Sequence, residues 1–244
     1  MTCHLVITGD SHLAAISQGA EILDECTTLL SFLPLGGGHL APQQFFRVDP
    51  ATRRVEITID GWSPVAFPVA SADGGLLTDA LYVVSLPCNT SRFLRDYDWT
   101  TYVPWQFKNS PDEIPLSDAI IEKIICSDAA TAVAFVAQLK AVGLDTCVVE
   151  APRYFAHAAH VRSMRPEVCT YLSARFLTFV RDRLHRCGIP VVEQPESTIG
   201  PDGSTLPRYR HPSPEDEHHA SAEYGALMLE RVLSFARTAL HDVR

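Results

Sequence analysis

Five short apolar runs alternate with helix-like segments along the chain, and this alternation restricts the fold more than any other feature. Each run is rich in large apolar residues and ends at a glycine, a proline or a polar turn. The runs occupy residues 5–7, 27–33, 80–86, 145–150 and 189–192. Buried strands that alternate with helices are typical of a parallel sheet with helices on both faces. We therefore predict one α/β domain over residues 1–244, with three layers (α/β/α) around a five-stranded parallel sheet.

Helical periodicity fills several of the segments between these runs and also follows the last run. Helices are predicted from residue 13 to 23, over 117–141, over 169–187 and over 221–241. Ser117 is a suitable N-cap for the second helix, and Ser127 with Asp128 marks a point where that helix is expected to bend and restart. Gly188 follows the third helix at the position where a glycine commonly ends one.

Two stretches interrupt the alternation and are predicted to be insertions, at about residues 40–78 and 90–115. The first contains apolar–polar alternation from residue 54, then Asp60-Gly61, a turn signal that favours a β-hairpin. The second is rich in aromatic residues and proline, which favours an ordered but irregular long loop. Such a loop either shapes a pocket at the sheet edge or covers a satellite core.

Composition excludes several classes of function. The formal net charge is −9 and no basic cluster is present, so nucleic acid and anionic membrane surfaces are not expected partners. No apolar run reaches the length of a membrane span, and the start lacks the pattern of a signal peptide, so a cytoplasmic location is expected. Seven scattered cysteines form no Cys-x-x-Cys pair, which argues against disulfides and zinc. The oligomeric state is not indicated.

Polar residues follow the first three apolar runs at the points where those runs end. Gly9-Asp10-Ser11-His12 follows the first run, Gly36-Gly37-Gly38 the second and Asn89 the third. The carboxyl ends of parallel strands meet at one edge of a sheet, where ligands bind in such folds. Ser11 would also lie at a helix N-terminus, where its hydroxyl either is a nucleophile or simply caps the helix.

The segment before the last helix contains carboxylates and imidazoles three residues apart. Two registers are open, Asp216 with His219 and Glu215 with His218. A serine nucleophile needs a base, and the base needs an orienting carboxylate, so either pair could serve Ser11. The other closely spaced histidines, His157 and His160, have no third ligand at suitable spacing and are expected to be a surface or loop pair.

These blocks resemble the SGNH/GDSL hydrolase superfamily, in its variant with histidine after Gly-Asp-Ser. Gly9-Asp10-Ser11-His12 is similar to the first block of the family, and Asp216-x-x-His219 followed by Tyr224-Gly225 is similar to the last. Leu86-Pro87-Cys88-Asn89 stands where the family has Leu-Gly-x-Asn-Asp, without the glycine and with threonine after the asparagine. The resemblance implies a flavodoxin-like fold and a serine ester hydrolase or acyltransferase that needs no cofactor and no metal.

Carried over residue by residue, the resemblance assigns Ser11 as nucleophile, His219 as base and Asp216 as its orienting carboxylate. Asn89 would donate to the oxyanion, together with the Ser11 N–H and the N–H of Gly37 or Gly38; Gly74-Gly75 is the competing glycine pair. Further expectations concern the surroundings. His12 and Trp105 are expected to contact the substrate, and His4 and His39 either line the pocket or pack.

The expected substrate is an acyl or acetyl ester of a small molecule or a sugar. Two alternatives have the same fold. One is an acyltransferase that hands the acyl group to a sugar or metabolite hydroxyl. The other is a catalytically inactive binding protein, which the departures around Asn89 would suit.

Overall fold

The computed structural model describes residues 4–23 and 29–241. The first two residues of the run predicted at 27–33 therefore lie outside the described residues. Within the described part, the strands are β1 (His4–Asp10), β2 (Leu29–Gly36), β3 (Phe46–Asp49), β4 (Arg54–Ile57), β5 (Ala66–Phe67), β6 (Leu81–Ser85), β7 (Tyr102–Pro104), β8 (Ile114–Leu116), β9 (Asp145–Val149) and β10 (Val191–Val192). The α-helices are α1 (Leu13–Ile22), α2 (Thr90–Arg95), α3 (Asp118–Ala141), α4 (Ala159–Arg162), α5 (Pro166–Arg186) and α6 (Ala222–His241).

The five predicted core strands form one parallel sheet in the order β10-β9-β6-β1-β2. This confirms the predicted five-stranded parallel sheet, with the flavodoxin-like strand order that the resemblance implied. The chain first moves outward from β1 to β2 and then returns to the other side of β1 to form β6. The polar ends of β1 and β6 are therefore neighbours at the switch point, where ligands bind in folds of this kind.

Alternate residues of the central strands enter two separate cores. Leu5 and Ile7 of β1 belong to the core that contains buried residues of α1 and α6. Val6 lies in the other core, with buried residues of α3 and α5. Both faces of the sheet are thus covered by helices, which is the predicted three-layer arrangement.

Helices α1 and α6 touch through two glycines. A Cβ atom on Gly225 would lie 1.7 Å from the backbone oxygen of Ala15, and one on Gly19 would lie 2.1 Å from the backbone nitrogen of Ala226. Only glycine at both positions lets the two backbones approach so closely. Because α1 follows Ser11 and α6 follows His219, this contact fixes the two segments relative to each other.

The first insertion contains one strand more than predicted. β4 and β5 do pair antiparallel, but the Asp60-Gly61 turn lies inside an eight-residue connection and not in a two-residue loop. β3 pairs with β4 through a turn in which Arg53 has φ +54°. The three-stranded sheet packs on α3, with the rings of Phe46 in β3 and Phe67 in β5 at 5.5 and 5.6 Å from the Phe135 ring. The prediction missed β3 because that short strand has two exposed positions, Arg47 and Val48.

The prediction of an irregular loop over residues 90–115 is wrong. The segment begins with α2, for which Asn89 is the N-cap, and continues into the paired strands β7 and β8. Phe93 and Trp99 are buried, and the Phe93 ring stacks on Phe176 of α5 at 4.7 Å. Phe93 and Trp99 therefore belong to the main core between the sheet and helices α3 and α5, whereas Trp105 is 59% exposed.

The expected bend at Ser127 and Asp128 is also wrong, because α3 continues through both residues. Asp128 is buried and forms a bidentate ion pair with Arg92 of α2, with Nη1 to Oδ1 at 2.7 Å. Its carboxylate therefore serves a long-range pair and caps nothing. Among the described residues, no helix has the length and apolarity needed to span a membrane.

Candidate active site

Ser11 lies at the turn between β1 and α1, with an exposed side chain. The turn can come close to the neighbouring strand because Gly9 has no side chain. A Cβ atom on Gly9 would lie 2.5 Å from the backbone oxygen of Ser85 in β6. The end of β1 is thereby packed directly against the end of β6, and the hydroxyl of Ser11 is presented at the sheet edge.

The loop before α6 brings His219 to Ser11. The distance from His219 Nε2 to Ser11 Oγ is 2.8 Å, across 208 positions of sequence. Backbone hydrogen bonds from His211 N to His219 O (2.9 Å) and from Ser221 N to Tyr209 O (2.8 Å) fasten both sides of this loop. The imidazole therefore has a fixed position over the hydroxyl.

Asp216 binds the other side of the same imidazole. Its Oδ2 lies 2.8 Å from His219 Nδ1, and its Oδ1 also accepts the backbone N–H of His219 at 2.9 Å. Of the two registers that the sequence left open, the structure pairs Asp216 with His219; Glu215 is exposed. Because a carboxylate faces Nδ1, the proton of a neutral His219 lies there, and Nε2 is left to accept a proton from Ser11.

Asp216 is ionised throughout the neutral pH range. Partial burial alone would raise the pKa of its carboxyl group, but hydrogen bonds from the backbone and the ring of His219 outweigh it. Together with the His218 backbone N–H, they lower the pKa of Asp216 to about 2. The carboxylate is thus available to stabilise a positive charge on His219.

Asn89 is held at the end of β6 by both atoms of its amide. Its Oδ1 accepts the N–H of Arg92 at 3.0 Å as the N-cap of α2, and its Nδ2 donates to Asp10 Oδ2 at 2.9 Å. Asp10 is itself 1% exposed and accepts the N–H of His12 through its other oxygen at 3.0 Å. An amide nitrogen carries two hydrogens, so one N–H of Asn89 is not used by Asp10.

Gly38 is the glycine that lies against this amide. A Cβ atom on Gly38 would be 2.5 Å from Asp10 Oδ2 and 3.3 Å from Asn89 Nδ2. A Cβ atom on Gly37 would meet only the ring of His39, and one on Gly74 would have no described atom within 4 Å. The structure therefore places the backbone of Gly38 beside Asn89, and it places Gly74 in open space.

Ser11 opens into a small cavity of about 110 Å³. The described residues that line it are Ser11, His12, Gly37, Gly38, His39, Asn89, Ser91, Arg92, Arg95 and His218. Trp105, which we expected to contact the substrate, is not among these lining residues, and His4 is bonded to Ser31 at 2.8 Å. His12 does line the cavity, and so does His39.

His12 is a neutral group in this cavity at physiological pH. It is 4% exposed, and its ring centre lies 5.0 Å from that of His219. Burial, opposed by the charge of Asp10, lowers the pKa of His12 from 6.5 to about 4. An uncharged ring at this position leaves Asp216 as the charged group in hydrogen-bond contact with His219.

One set of described residues has ligand atoms close enough to hold a metal ion. The atoms of Asp216, His218 and His219 lie within 4.8 Å of one another. Two of these side chains already bind each other and Ser11, so a bound ion would displace the bond between Asp216 and His219. Of the histidines expected to form a surface or loop pair, His157 lies in the loop before α4 and His160 lies within α4, and both are half-buried.

Comparison with known proteins identifies the fold of the chain. No family model matches the chain, and no curated protein matches it by sequence. Phospholipase A1 from Streptomyces albidoflavus NA297 superposes with a TM-score of 0.51 at 12% identity, over 94% of this chain and 99% of that chain. An extracellular lipase from Streptomyces rimosus gives 0.47 at 13%, over 94% and 99%. A GDSL-like lipase from Bacteroides thetaiotaomicron VPI-5482 gives 0.46 at 12%, over 96% and 86%. The chain thus shares the overall α/β fold of the Streptomyces albidoflavus phospholipase A1.

Proposed function

We propose that this protein is a serine-dependent hydrolase of small esters that works through an acyl-enzyme. The observation that carries the proposal is the unbroken series of contacts from Asp216 through His219 to Ser11, with 2.8 Å at each step. A serine hydroxyl, an imidazole and a carboxylate in this order form the arrangement that activates serine as a nucleophile.

In the first step Ser11 Oγ attacks the ester carbonyl carbon, and its proton passes to His219 Nε2. Asp216 stabilises the imidazolium that forms and keeps the ring in place. Collapse of the tetrahedral intermediate releases the alcohol, which takes the proton from His219. Water then attacks the acyl-enzyme with His219 again as the base, and Ser11 is regenerated.

The negative charge on the former carbonyl oxygen needs donors that are already oriented. Asn89 supports this role, because Asp10 and the N-terminus of α2 hold its amide and one N–H remains. The N–H groups of Gly38 and Ser11 are the proposed partners of that amide. Removal of one such donor typically lowers the rate 100- to 1000-fold.

The cavity favours an ester with a small acyl group. At about 110 Å³ it is smaller than the several hundred Å³ of a site that encloses a drug-sized ligand. An acetyl or similarly short acyl group suits this volume, with the alcohol part extending from the open side. An alcohol could also replace water in the second step, which would make the protein an acyltransferase.

The decisive experiment compares Ser11→Ala with Ser234→Ala, which removes an exposed hydroxyl on α6. We expect the wild type and Ser234→Ala to hydrolyse 4-nitrophenyl acetate and to be labelled by a fluorophosphonate probe. Ser11→Ala should show neither reaction while retaining its circular dichroism spectrum and melting temperature.

Turnover by folded Ser11→Ala at the wild-type rate would refute the mechanism. A wild type that is folded but neither turns over esters nor reacts with the probe would indicate a non-catalytic binding protein. Product analysis with added alcohols then separates transfer from hydrolysis, because only a transferase yields a new ester in preference to acetate.

A further inference from the structure

The cavity beside Ser11 has the opposite charge character to the chain as a whole. The chain has a formal net charge of −9, yet the charged residues that line this cavity are two arginines, accompanied by His39, His218 and the neutral His12. None of the described lining residues is an aspartate or a glutamate. Because the overall charge disfavours anions, any attraction of an anion to this cavity must come from these few side chains.

The two arginines differ in how many of their side-chain donors already have a hydrogen-bond partner. Arg92 is 3% exposed and is matched by the buried carboxylate of Asp128 in a bidentate pair. Arg95 lies three residues on, at the end of α2, with 37% of its side chain exposed. Its Nε donates to Asp96 at 3.0 Å, while Nη1 and Nη2 donate to none of the described residues. Among the described residues, the Arg92 charge is therefore balanced within the fold, with its buried Nε left unpaired, whereas both terminal nitrogens of Arg95 are unpaired.

Two histidines add further unused donors at the same cavity. The ring nitrogens of His39 and His218 make no hydrogen bond to the described residues, although both residues line the cavity. The two rings and Arg95 come from three separate segments: the turn after β2, the end of α2 and the loop before α6. His39 and Arg95 are exposed, so water satisfies their donors, and an acceptor on a ligand in the cavity can replace that water.

We infer that the substrate of the proposed hydrolase carries an anionic oxygen group, a carboxylate or a phosphate, which Arg95 binds with help from His39 and His218. A guanidinium fork matches two oxygens of such a group, and hydrogen bonds to charged partners are stronger than neutral ones. The inference rests on the proposed function, since it names the substrate class of the same site. The anionic group belongs to either the acyl part or the alcohol part of the ester.

Two matched pairs of esters test the inference and locate the charge. The first pair is 4-acetoxybenzoate and its methyl ester, which differ in charge on the alcohol side. The second is mono-4-nitrophenyl succinate and its methyl ester, which differ on the acyl side. We expect kcat/KM to favour the anion about tenfold in one pair, and that pair identifies the side.

Arg95→Gln should lower this anion-to-neutral ratio about tenfold, mainly through KM, and added salt should lower the wild-type ratio as well. The matched control is Arg237→Gln, which removes the same charge from an exposed position on α6 and should leave the ratio unchanged. An active wild type with no preference for the anion in either pair would overturn the inference and leave the hydrolase intact.

Binding measured by calorimetry separates this inference from the proposed function. Benzoate and phenyl phosphate are the probes, and benzamide is the neutral control. We expect at least one anion to bind to the wild type and to Arg237→Gln, and to bind at least tenfold more weakly to Arg95→Gln. If no ester is hydrolysed but this pattern appears, the catalytic proposal fails and the anion site stands. Equal binding to all three proteins, or to none, overturns the anion site.

Discussion

The cavity has two walls that differ in how their polar atoms are used. In the paired wall, Ser11 and Asn89 line the cavity, and hydrogen bonds of 2.8–3.0 Å join them to Asp10, His219 and Asp216, which do not line it. In the open wall (His39, Arg95 and His218) most side-chain donors have no described partner. The groups of the paired wall are already oriented by internal hydrogen bonds, whereas the groups of the open wall are available to bind a ligand. Substitutions in the paired wall should therefore lower kcat, whereas substitutions in the open wall should lower the preference for anionic over neutral esters.

The largest effect after loss of Ser11 is expected from Asp216→Asn. An amide can no longer accept the His219 Nδ1–H as a charged partner and favours the wrong tautomer, so kcat should fall by about 10,000-fold. Glu215→Gln is the matched control, because it makes the same change at the alternative register and should alter kcat less than about threefold. Comparable losses in the two variants, measured on 4-nitrophenyl acetate, would show that the register is wrong.

The next effect concerns Asn89, which has two tasks that two variants can separate. Asn89→Ala removes both the oxyanion N–H and the N-cap of α2, while Asn89→Ser retains a capping oxygen. Both should lower kcat 100- to 1000-fold. Both variants lose the bond from Nδ2 to the buried Asp10, so loss of the cap alone should make Asn89→Ala about 1 kcal/mol less stable than Asn89→Ser, measured by urea titration. Full activity in Asn89→Ser would show that the Asn89 side-chain amide does not bind the oxyanion.

A smaller loss of kcat is expected from a substitution that displaces His219 through the contact between α1 and α6. Gly225→Ala puts a methyl group where Ala15 O lies 1.7 Å from the ideal Cβ, so α6 must move away from α1. We expect a stability loss of about 1–3 kcal/mol. The displaced His219 should also lower kcat about 100-fold. Ser234→Ala on the exposed side of the same helix is the control and should change neither quantity.

The smallest effect is a dependence of stability on pH that originates at His12. Its pKa is about 4 in the folded protein, whereas an unperturbed histidine has a pKa of 6.5, so the unfolded chain binds more protons between these values. Stability should therefore be highest above pH 7 and fall as the pH drops toward 4, with about 2 kcal/mol lost from pH 7.5 to 5 through this one group.

His12→Gln should remove that part of the pH dependence, and His185→Gln, at an exposed position on α5, should retain it. Urea unfolding at the two pH values measures the difference directly. An identical pH dependence in His12→Gln and the wild type would show that His12 is not buried in neutral form.

The paired wall was largely predictable because its residues lie in short sequence motifs. Gly9-Asp10-Ser11-His12 ends an apolar run, and Asp216 and His219 are only three residues apart, so few arrangements were open. The choice of glycine was not predictable, since Gly37 and Gly38 differ only in what a Cβ atom would meet. That difference depends on Asp10 and Asn89, which the fold brings together from distant segments.

In the open wall, Arg95 was missed because it lies on an element that was predicted as a loop, whereas His39 was among the candidate pocket residues. Prolines and aromatic residues after position 96 suggested irregular structure and obscured α2, which is only six residues long. A capping asparagine at 89 followed by arginines at 92 and 95 was the available signal. The error at Asp128 has a related cause, because its partner Arg92 is 36 positions away and no local pattern reveals such a pair.

The glycine contact between α1 and α6 has a consequence for how the protein is made. Ser11 leaves the ribosome 208 positions ahead of His219, and the helix that positions this base begins only at Ala222. The nascent chain can build β1, α1 and most of the sheet without any working nucleophile. Activity should therefore appear in a single late event, when α6 emerges and locks onto α1, and an unfinished chain carries a serine with nothing to activate it.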